Sequence, residues 1–177
     1  MTKELKSKIL PVTLALVVIV LDQITKMLVV RFIPYGYVGA SYFGDFLRLI
    51  HISNTGVAFS FGAEWSDSIR HILFAAFPVV IIAIVIGIYF RNNDFSKLQR
   101  WAIMGIIGGG IGNLIDRIFR SEGVVDFIDF KFYGLFGLER WPTFNVADAV
   151  VVVCGCMLLV SFIITFVKEK KEKKESE

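Results

Sequence analysis

Four long apolar runs constrain the fold of this chain more than any other feature. They cover residues 9–30, 69–90, 101–119 and 144–167. A helix of about 20 apolar residues crosses the hydrocarbon core of a bilayer and satisfies its own backbone hydrogen bonds there. Since 55% of the residues are hydrophobic and only 20% are charged, the chain is much more apolar than a soluble domain. The sequence therefore predicts one integral membrane domain over residues 1–177, built as an all-α bundle of four transmembrane helices.

The segments between the runs predict the orientation of the helices. The head before residue 9, the turn 91–100 and the charged tail 168–177 are rich in lysine and arginine, which places them in the cytoplasm. The longer segments 31–68 and 120–143 contain more acidic residues and are expected outside. Alternation over residues 46–52 indicates short strands, and the aromatic segment 120–143 fits either an interfacial amphipathic helix or a hairpin. The tail is expected to be disordered.

Polar side chains recur at one end of three of the predicted helices. Their spacings of i,i+3 and i,i+4 put the two members of each pair on one helix face. Buried polar groups cost several kcal/mol each in a membrane unless they are paired or face water, so they mark a candidate functional site. The pairs are Asp22 with Lys26, Asn113 with Arg117, and Asn145 with Asp148. With both termini inside, all three pairs lie at one membrane depth, near the outer face.

Two ion pairs are expected to be structural. Lys26 is expected to neutralise Asp22, and Arg117 to neutralise Asp116, because charges inside a membrane are commonly paired. These pairings leave two carboxylates of the region, Asp126 and Asp148, for chemistry.

Asp126 and Asp148 have the properties of an aspartyl hydrolase pair if they face each other. Repulsion and burial would raise one pKa, giving one protonated and one ionised carboxyl group. The ionised group can take a proton from water as it attacks an amide carbonyl, and the protonated group can stabilise the oxyanion. Asparagines would orient the pair or hold the substrate backbone. Asp129 is expected to be an exposed bystander.

Other chemistries have weaker support. His51 and His71 are too scattered for a convincing catalytic metal site, so no metal or other cofactor is expected. A serine–lysine dyad of Lys26 with Ser53 or Ser60 stays open as an alternative, but it leaves the carboxylates unexplained. The basic residues do not form an aromatic-interleaved face, which makes nucleic acid an improbable partner.

A polar-cored transporter or channel is the main rival from another class. It predicts polar groups through the whole membrane depth and often an internal repeat. Here the second run is apolar from residue 73 to residue 87, and the polar pairs stay at one end. A structural partner subunit is a second rival. It would explain the glycines of the third run, whose spacing suits close helix packing, but not two unpaired aspartates.

Five ordered segments resemble the signature blocks of the lipoprotein signal peptidase family, also called signal peptidase II. They cover most of the chain in the order expected for that family. The segments are D-Q-I-T-K at 22–26, N-T-G-V-A-F-S at 54–60, G-N-L-I-D-R at 112–117, V-V-D-F-I-D at 124–129 and F-N-V-A-D-A at 144–149.

The resemblance implies an aspartyl endopeptidase of the bacterial cytoplasmic membrane. Its substrates would be diacylglyceryl-modified prolipoproteins, cut just before the lipidated cysteine, with membrane lipids as further partners and no second chain required. It also implies four helices with a small extracytoplasmic β-sheet cradle over 35–66 and an interfacial helix over 127–142. By block, Asp126 and Asp148 would be catalytic. The supporting positions would be Asp22, Lys26, Asn54, Gly56, Asn113, Arg117 and Asn145.

Overall fold

The computed structural model describes residues 3–55, 69 and 75–176. In chain order these form α1 (Lys3–Ile9), α2 (Val12–Phe32), β1 (Val38–Tyr42), β2 (Leu47–Asn54), α3 (Phe77–Arg91), α4 (Lys97–Phe119), β3 (Val124–Phe130), a 3-10 helix (Leu135–Gly137) and α5 (Val146–Ser176). The stretches Glu4–Phe32, Lys97–Phe119 and Val146–Lys174 are long and apolar enough to cross a membrane. Helix α3 is apolar but shorter, and residues 70–74 of the second expected span lie outside the described part.

Local sequence signals set the helix boundaries. Helix α2 stops at Phe32 because the residue before Pro34 disfavours the helical conformation. Pro78 occupies the first turn of α3, where a missing amide hydrogen costs nothing. Helix α4 starts with a capping box: the Ser96 hydroxyl accepts a hydrogen bond from the Gln99 amide, and the Gln99 side chain accepts one from the Ser96 amide.

Helix α4 lies between α2 and α5 and packs closely on both. A Cβ atom on Gly108 would lie 2.8 Å from the Cα of Ala15 in α2. A Cβ on Gly109 would lie 2.6 Å from the carbonyl oxygen of Ala147 in α5. The glycines thus let the helix backbones approach each other, which confirms that they serve packing.

The three strands form one antiparallel sheet in the order β1-β2-β3. In the β2–β3 pair, Leu47 lies opposite Phe130 and Ile52 lies opposite Asp126. The strand prediction for residues 46–52 is therefore confirmed. Since β1 and β2 follow α2 and β3 follows α4, the sheet lies at one end of the bundle, and β3 brings Asp126 to the start of α5.

The segment 127–142 does not form the expected interfacial helix. Residues 124–130 belong to β3, and the chain then turns back as a hairpin with a bridge between Lys131 and Arg140. Tyr133, Gly134 and Phe136 have positive φ angles, a left-handed backbone that cannot continue an α-helix. The helix expectation was wrong here, and the hairpin alternative is confirmed.

The charged tail also differs from expectation. Helix α5 continues without a break to Ser176, so the expectation of disorder was wrong for residues 168–176. Lysine and glutamate are good helix formers, and this stretch contains neither glycine nor proline.

Candidate active site

Asp126 lies in the middle of β3 with only 2% of its surface exposed. Its Oδ1 accepts a hydrogen bond of 2.7 Å from the Asn145 side-chain amide. Its Oδ2 accepts one of 3.2 Å from the side-chain amide of Asn54, at the end of β2. The sheet and the start of α5 therefore hold the two carboxylate oxygens from separate sides.

Asp148 lies in the first turn of α5, where it forms a capping box with Asn145. The Asn145 side-chain oxygen accepts from the Asp148 amide at 3.0 Å, and Asp148 Oδ2 accepts from the Asn145 amide at 3.2 Å. The side-chain amide of Asn113, on α4, donates to Asp148 Oδ1 at 2.7 Å. Asn145 thus contacts both aspartates, so the structure brings the two predicted carboxylates to one place.

Burial and a neighbouring charge change the pKa of Asp126. The pKa of the Asp126 carboxyl is raised from 3.8 to about 7. Burial is the main cause and the neighbouring charge of Asp148 is the second, while the hydrogen bonds from Asn54 and Asn145 and the charge of Lys26 act in the opposite direction. The positive end of the α5 dipole stabilises a negative charge on Asp148. Near neutral pH the raised pKa therefore lets Asp126 carry a proton.

A buried ion cluster supports the asparagines. The Lys26 ammonium is fully buried and lies 2.8 Å from Asp22 Oδ2 and 2.9 Å from Asp116 Oδ2. It also donates to Asn113 Oδ1 at 2.9 Å. The expected Lys26–Asp22 pair is confirmed, and Lys26 additionally fixes the amide that reaches Asp148.

Asp116 differs from expectation in its partners. It pairs with Lys26 at 2.9 Å and with Arg120 at 2.9 Å. The charge of Arg117 interacts most strongly with Asp148, then with Asp126 and Asp116. The expected interaction of Arg117 with Asp116 is therefore one of three charge interactions of this arginine, and Arg120, one turn from Asp116, also pairs with Asp116.

Two residues with polar contacts in this cluster, Gln23 and Arg120, were not predicted from the sequence. The Gln23 side-chain amide donates to the Gly112 carbonyl oxygen at 3.0 Å and to Asp22 at 3.2 Å. Arg120 holds Asp116. The i,i+4 spacing of Arg120 from Asp116 could have predicted their ion pair. The position of Gln23 in the sequence does not distinguish it from a surface glutamine.

Asp129 is not the exposed bystander that the sequence suggested. It is 2% exposed and is held by two arginines. Arg140 Nε lies 2.7 Å from Asp129 Oδ2, and Arg48 Nε donates to the same oxygen at 2.7 Å. The expectation was wrong because Arg48 comes from the neighbouring strand and Arg140 from the hairpin, contacts that appear only once the sheet is formed.

The other candidate residues of the sequence analysis do not form a second catalytic arrangement in the described part of the chain. Gly56 and Ser60 lie outside the described residues. The Ser53 hydroxyl has no hydrogen-bond partner in the described part of the chain, and Lys26 is neutralised by two carboxylates. Ser53 and Lys26 therefore do not form a dyad. His51 is buried and bonds the Ile33 carbonyl oxygen through Nδ1 at 2.8 Å.

A second buried polar cluster lies at the opposite end of the bundle. Lys8 donates to the Phe90 carbonyl oxygen at 2.8 Å, and Arg100 donates to the carbonyl oxygens of Asn93 and Phe95. Arg100 and Asn113 are thirteen positions apart in α4, about 20 Å along the helix. An apolar cluster that includes Ala15, Tyr89, Ile103, Met104 and Ile107 fills the space between. The polar groups do not continue through the described bundle, contrary to the transporter hypothesis.

Comparison with known proteins extends over nearly the whole chain. The family model described as signal peptidase (SPase) II matches residues 14–164. The lipoprotein signal peptidase of Treponema pallidum (strain Nichols) is 47% identical over 172 residues, covering 97% of this chain and 90% of the relative. That of Treponema denticola is 48% identical over 168 residues, covering 95% and 96%.

The fold is also similar to solved structures. A structure described as a bacterial membrane enzyme matches with a TM-score of 0.74 and 26% identity, covering 94% of this chain and 93% of that chain. The matched family region contains every candidate site residue from Asp22 to Asp148.

Proposed function

Because the chain belongs to the signal peptidase II family, we propose that Asp126 and Asp148 are the catalytic pair of this enzyme. The protein is a multi-pass membrane peptidase of the aspartic endopeptidase class. The observation that carries the proposal is the position of Asn145, which donates to Asp126 at 2.7 Å and forms the capping box with Asp148. One buried residue thereby contacts both carboxyl groups, of which Asp126 has a pKa raised to about 7.

In the proposed reaction, Asp148 acts first as a base. Its carboxylate takes a proton from a water molecule while the water oxygen attacks the scissile carbonyl carbon. Protonated Asp126 donates a hydrogen bond to the developing oxyanion and its proton then reaches the leaving nitrogen as the C–N bond breaks. The products are a carboxyl group and a free amine, and no covalent enzyme intermediate forms. A proton returned from solvent or from Asp148 restores Asp126.

The proposed substrates are diacylglyceryl-modified prolipoproteins, cut before the lipidated cysteine. A lipidated signal peptide is itself an apolar helix whose cleavage point lies where the helix meets the membrane interface. Exposed aromatic side chains at the sheet end of the bundle, including Phe32 at 70% and Phe119 at 79% exposure, are typical of residues at that level. A site at this depth reaches the bond while the acyl chains stay in the lipid.

The supporting residues have separate proposed roles. Asp22 and Lys26 form a buried ion pair with a structural role. Asn113 orients Asp148 and Asn145 orients Asp126 through their hydrogen bonds. Asn54 orients Asp126 from the sheet side. Arg117 balances the charge of the pair, and Gly56 contributes to substrate binding.

The membrane arrangement is proposed from the charge pattern. Four helices cross the bacterial cytoplasmic membrane with both termini in the cytoplasm, and the three-stranded sheet forms an extracytoplasmic cradle beside the active site. The lysine-rich head and tail support this orientation. The site is built within one chain, which supports a monomer.

The proposal is tested by cleavage of a synthetic lipidated prolipoprotein by the purified, reconstituted enzyme. Asp126→Asn and Asp148→Asn should each lower turnover by about 10²–10⁴-fold or more, the usual contribution of general acid–base groups. Thermal unfolding checks that each variant is folded.

Asp129→Asn is the matched control. It removes a buried carboxylate three residues farther along the same strand, outside the proposed pair, and should retain turnover. A folded Asp126→Asn or Asp148→Asn variant with near wild-type turnover would show that the pair is assigned wrongly.

A further inference from the structure

A polar cavity of about 180 Å³ lies at the sheet end of the bundle, and neither aspartate of the proposed pair lines it. Val30 of α2 and Phe119 of α4 form apolar parts of its lining, and Ser53, Arg120 and Glu122 contribute polar groups. Successive strand residues point to opposite faces of a sheet. Asn54 contacts Asp126, whereas its neighbour Ser53 lines this cavity. The cavity is therefore separate from the proposed catalytic pair.

The polar groups of the cavity have unused hydrogen-bonding capacity. Arg120 is tied to Asp116 through Nε at 2.9 Å, and its two terminal amino groups have no hydrogen bond to any described residue. The Glu122 carboxylate is exposed and likewise has no ion-pair partner within the described ranges. The Ser53 hydroxyl oxygen is buried and lacks a hydrogen-bond partner there. A positive and a negative group thus flank one cavity with a free hydroxyl inside it.

We propose that this cavity binds the phosphoethanolamine headgroup of a membrane phospholipid. The terminal amino groups of Arg120 match a phosphate in geometry and charge, and the Glu122 carboxylate can accept hydrogen bonds from the primary ammonium. The acyl chains would continue over Val30 and Phe119, a residue that is 79% exposed.

Size and charge select this headgroup over others. The cavity is smaller than the roughly 300–1,000 Å³ typical of drug-sized ligands, so it suits a headgroup and not a whole lipid. Glu122 would not stabilise the uncharged glycerol of an anionic phospholipid and would repel its net charge. A quaternary ammonium has no hydrogen atom to donate to Glu122. Recognition therefore depends on both charges together, and the residues that provide them are only two positions apart.

The proposal is tested by native mass spectrometry of the full-length protein released from vesicles with equal amounts of phosphatidylethanolamine and phosphatidylglycerol of the same acyl chains. Wild type should retain the ethanolamine lipid preferentially. Glu122→Gln should lower that preference about two- to five-fold, the effect expected for one partly exposed ion pair. Glu122→Arg should reverse the preference, and Arg120→Gln should lower retention of both lipids.

Arg31→Gln is the matched control. Arg31 is an exposed arginine next to Val30 in α2, and it does not line the cavity. It should leave the lipid preference unchanged. Arg120 also holds Asp116, so Glu122→Arg decides the question if Arg120→Gln unfolds. Equal retention of both lipids by wild type, or an unchanged preference in folded Glu122→Arg, would overturn the proposal. The lipid readout is independent of peptidase activity.

Discussion

Asn145 is the residue whose substitution should reveal most about the site. It is fully buried, and it both caps α5 and orients the aspartates. Asn145→Ala removes the capping oxygen together with the donor to Asp126 and Asn113. Asn145→Ser keeps a capping oxygen, since serine is a good N-cap residue, but its hydroxyl is too short to reach Asp126. The two variants therefore separate helix capping from carboxylate positioning.

The structure sets the expected magnitudes. Losing the cap costs about 0.5–2 kcal/mol, and leaving the buried Asp126 oxygen without its donor costs about 1–3 kcal/mol. Serine should recover the capping free energy only. In a chain of this size, each kcal/mol regained raises the unfolding temperature by about 2–4 °C, so Asn145→Ser should unfold at a higher temperature than Asn145→Ala. Both variants should lose about a hundred-fold in turnover, because a misplacement of about 1 Å has that effect.

Thermal unfolding in detergent and cleavage of a lipidated peptide measure these two effects. A third readout is the pH profile. The Asn145 hydrogen bond lowers the pKa of Asp126, so both variants should move the alkaline limb of activity to higher pH. If Asn145→Ser has wild-type turnover and an unchanged pH profile, Asn145 is only a helix cap and the positioning argument fails.

Three further outcomes follow from burial and packing. Asp126 has a folded-state pKa of about 7, above its usual 3.8. Its contribution to stability is therefore complete below pH 3.8 and is lost as the pH rises through about 7. Asp126→Asn should be more stable than wild type at about pH 8, and this difference should shrink toward about pH 4. Gly112→Ala should destabilise by about 1–3 kcal/mol, because its Cβ would lie 2.7 Å from Asp22 Oδ2, whereas Gly155→Ala, with no atom within 4 Å, should not. Lys26→Met should destabilise by about 3–5 kcal/mol, because it leaves two buried carboxylates without their shared cation.

Unfolding temperatures measured across pH, and at one pH for the glycine and lysine variants, check these outcomes. A pH-independent difference between Asp126→Asn and wild type would contradict the raised pKa. Equal effects at Gly112 and Gly155 would contradict close packing around α4. A Lys26→Met variant of wild-type stability would mean that the buried carboxylates take up protons at little cost.

The sequence predicted the parts of the site that depend on helical spacing. Lys26 and Asp22 are one turn apart on a single helix, so their pairing needs no tertiary information. The i,i+3 spacing of Asn145 and Asp148 is likewise local, and in the structure this pair forms a capping box that places Asp148. The positioning role expected for the asparagines also agrees with their contacts.

The missed contacts depend on chain segments far apart in sequence. Asp129 is buried because Arg48 reaches it from 81 positions away. The hairpin after β3 replaces an amphipathic helix because its backbone adopts positive φ at Tyr133 and Phe136, which aromatic residues adopt only when the surrounding structure holds them. In the sequence, such aromatic residues indicate an interfacial helix as readily as a hairpin.

The central position of α4 also sets an order of assembly. Among the three long described helices, α4 has the largest share of its apolar window buried against protein, and its glycine face packs on α2 and α5. Helix α2 is synthesised before α4, and α5 is synthesised after both. A helix that carries polar and small residues gains stability in lipid mainly from its neighbours. Packing around α4 therefore requires α5, which also carries Asp148, so the proposed aspartate pair forms only after α5 has joined the bundle.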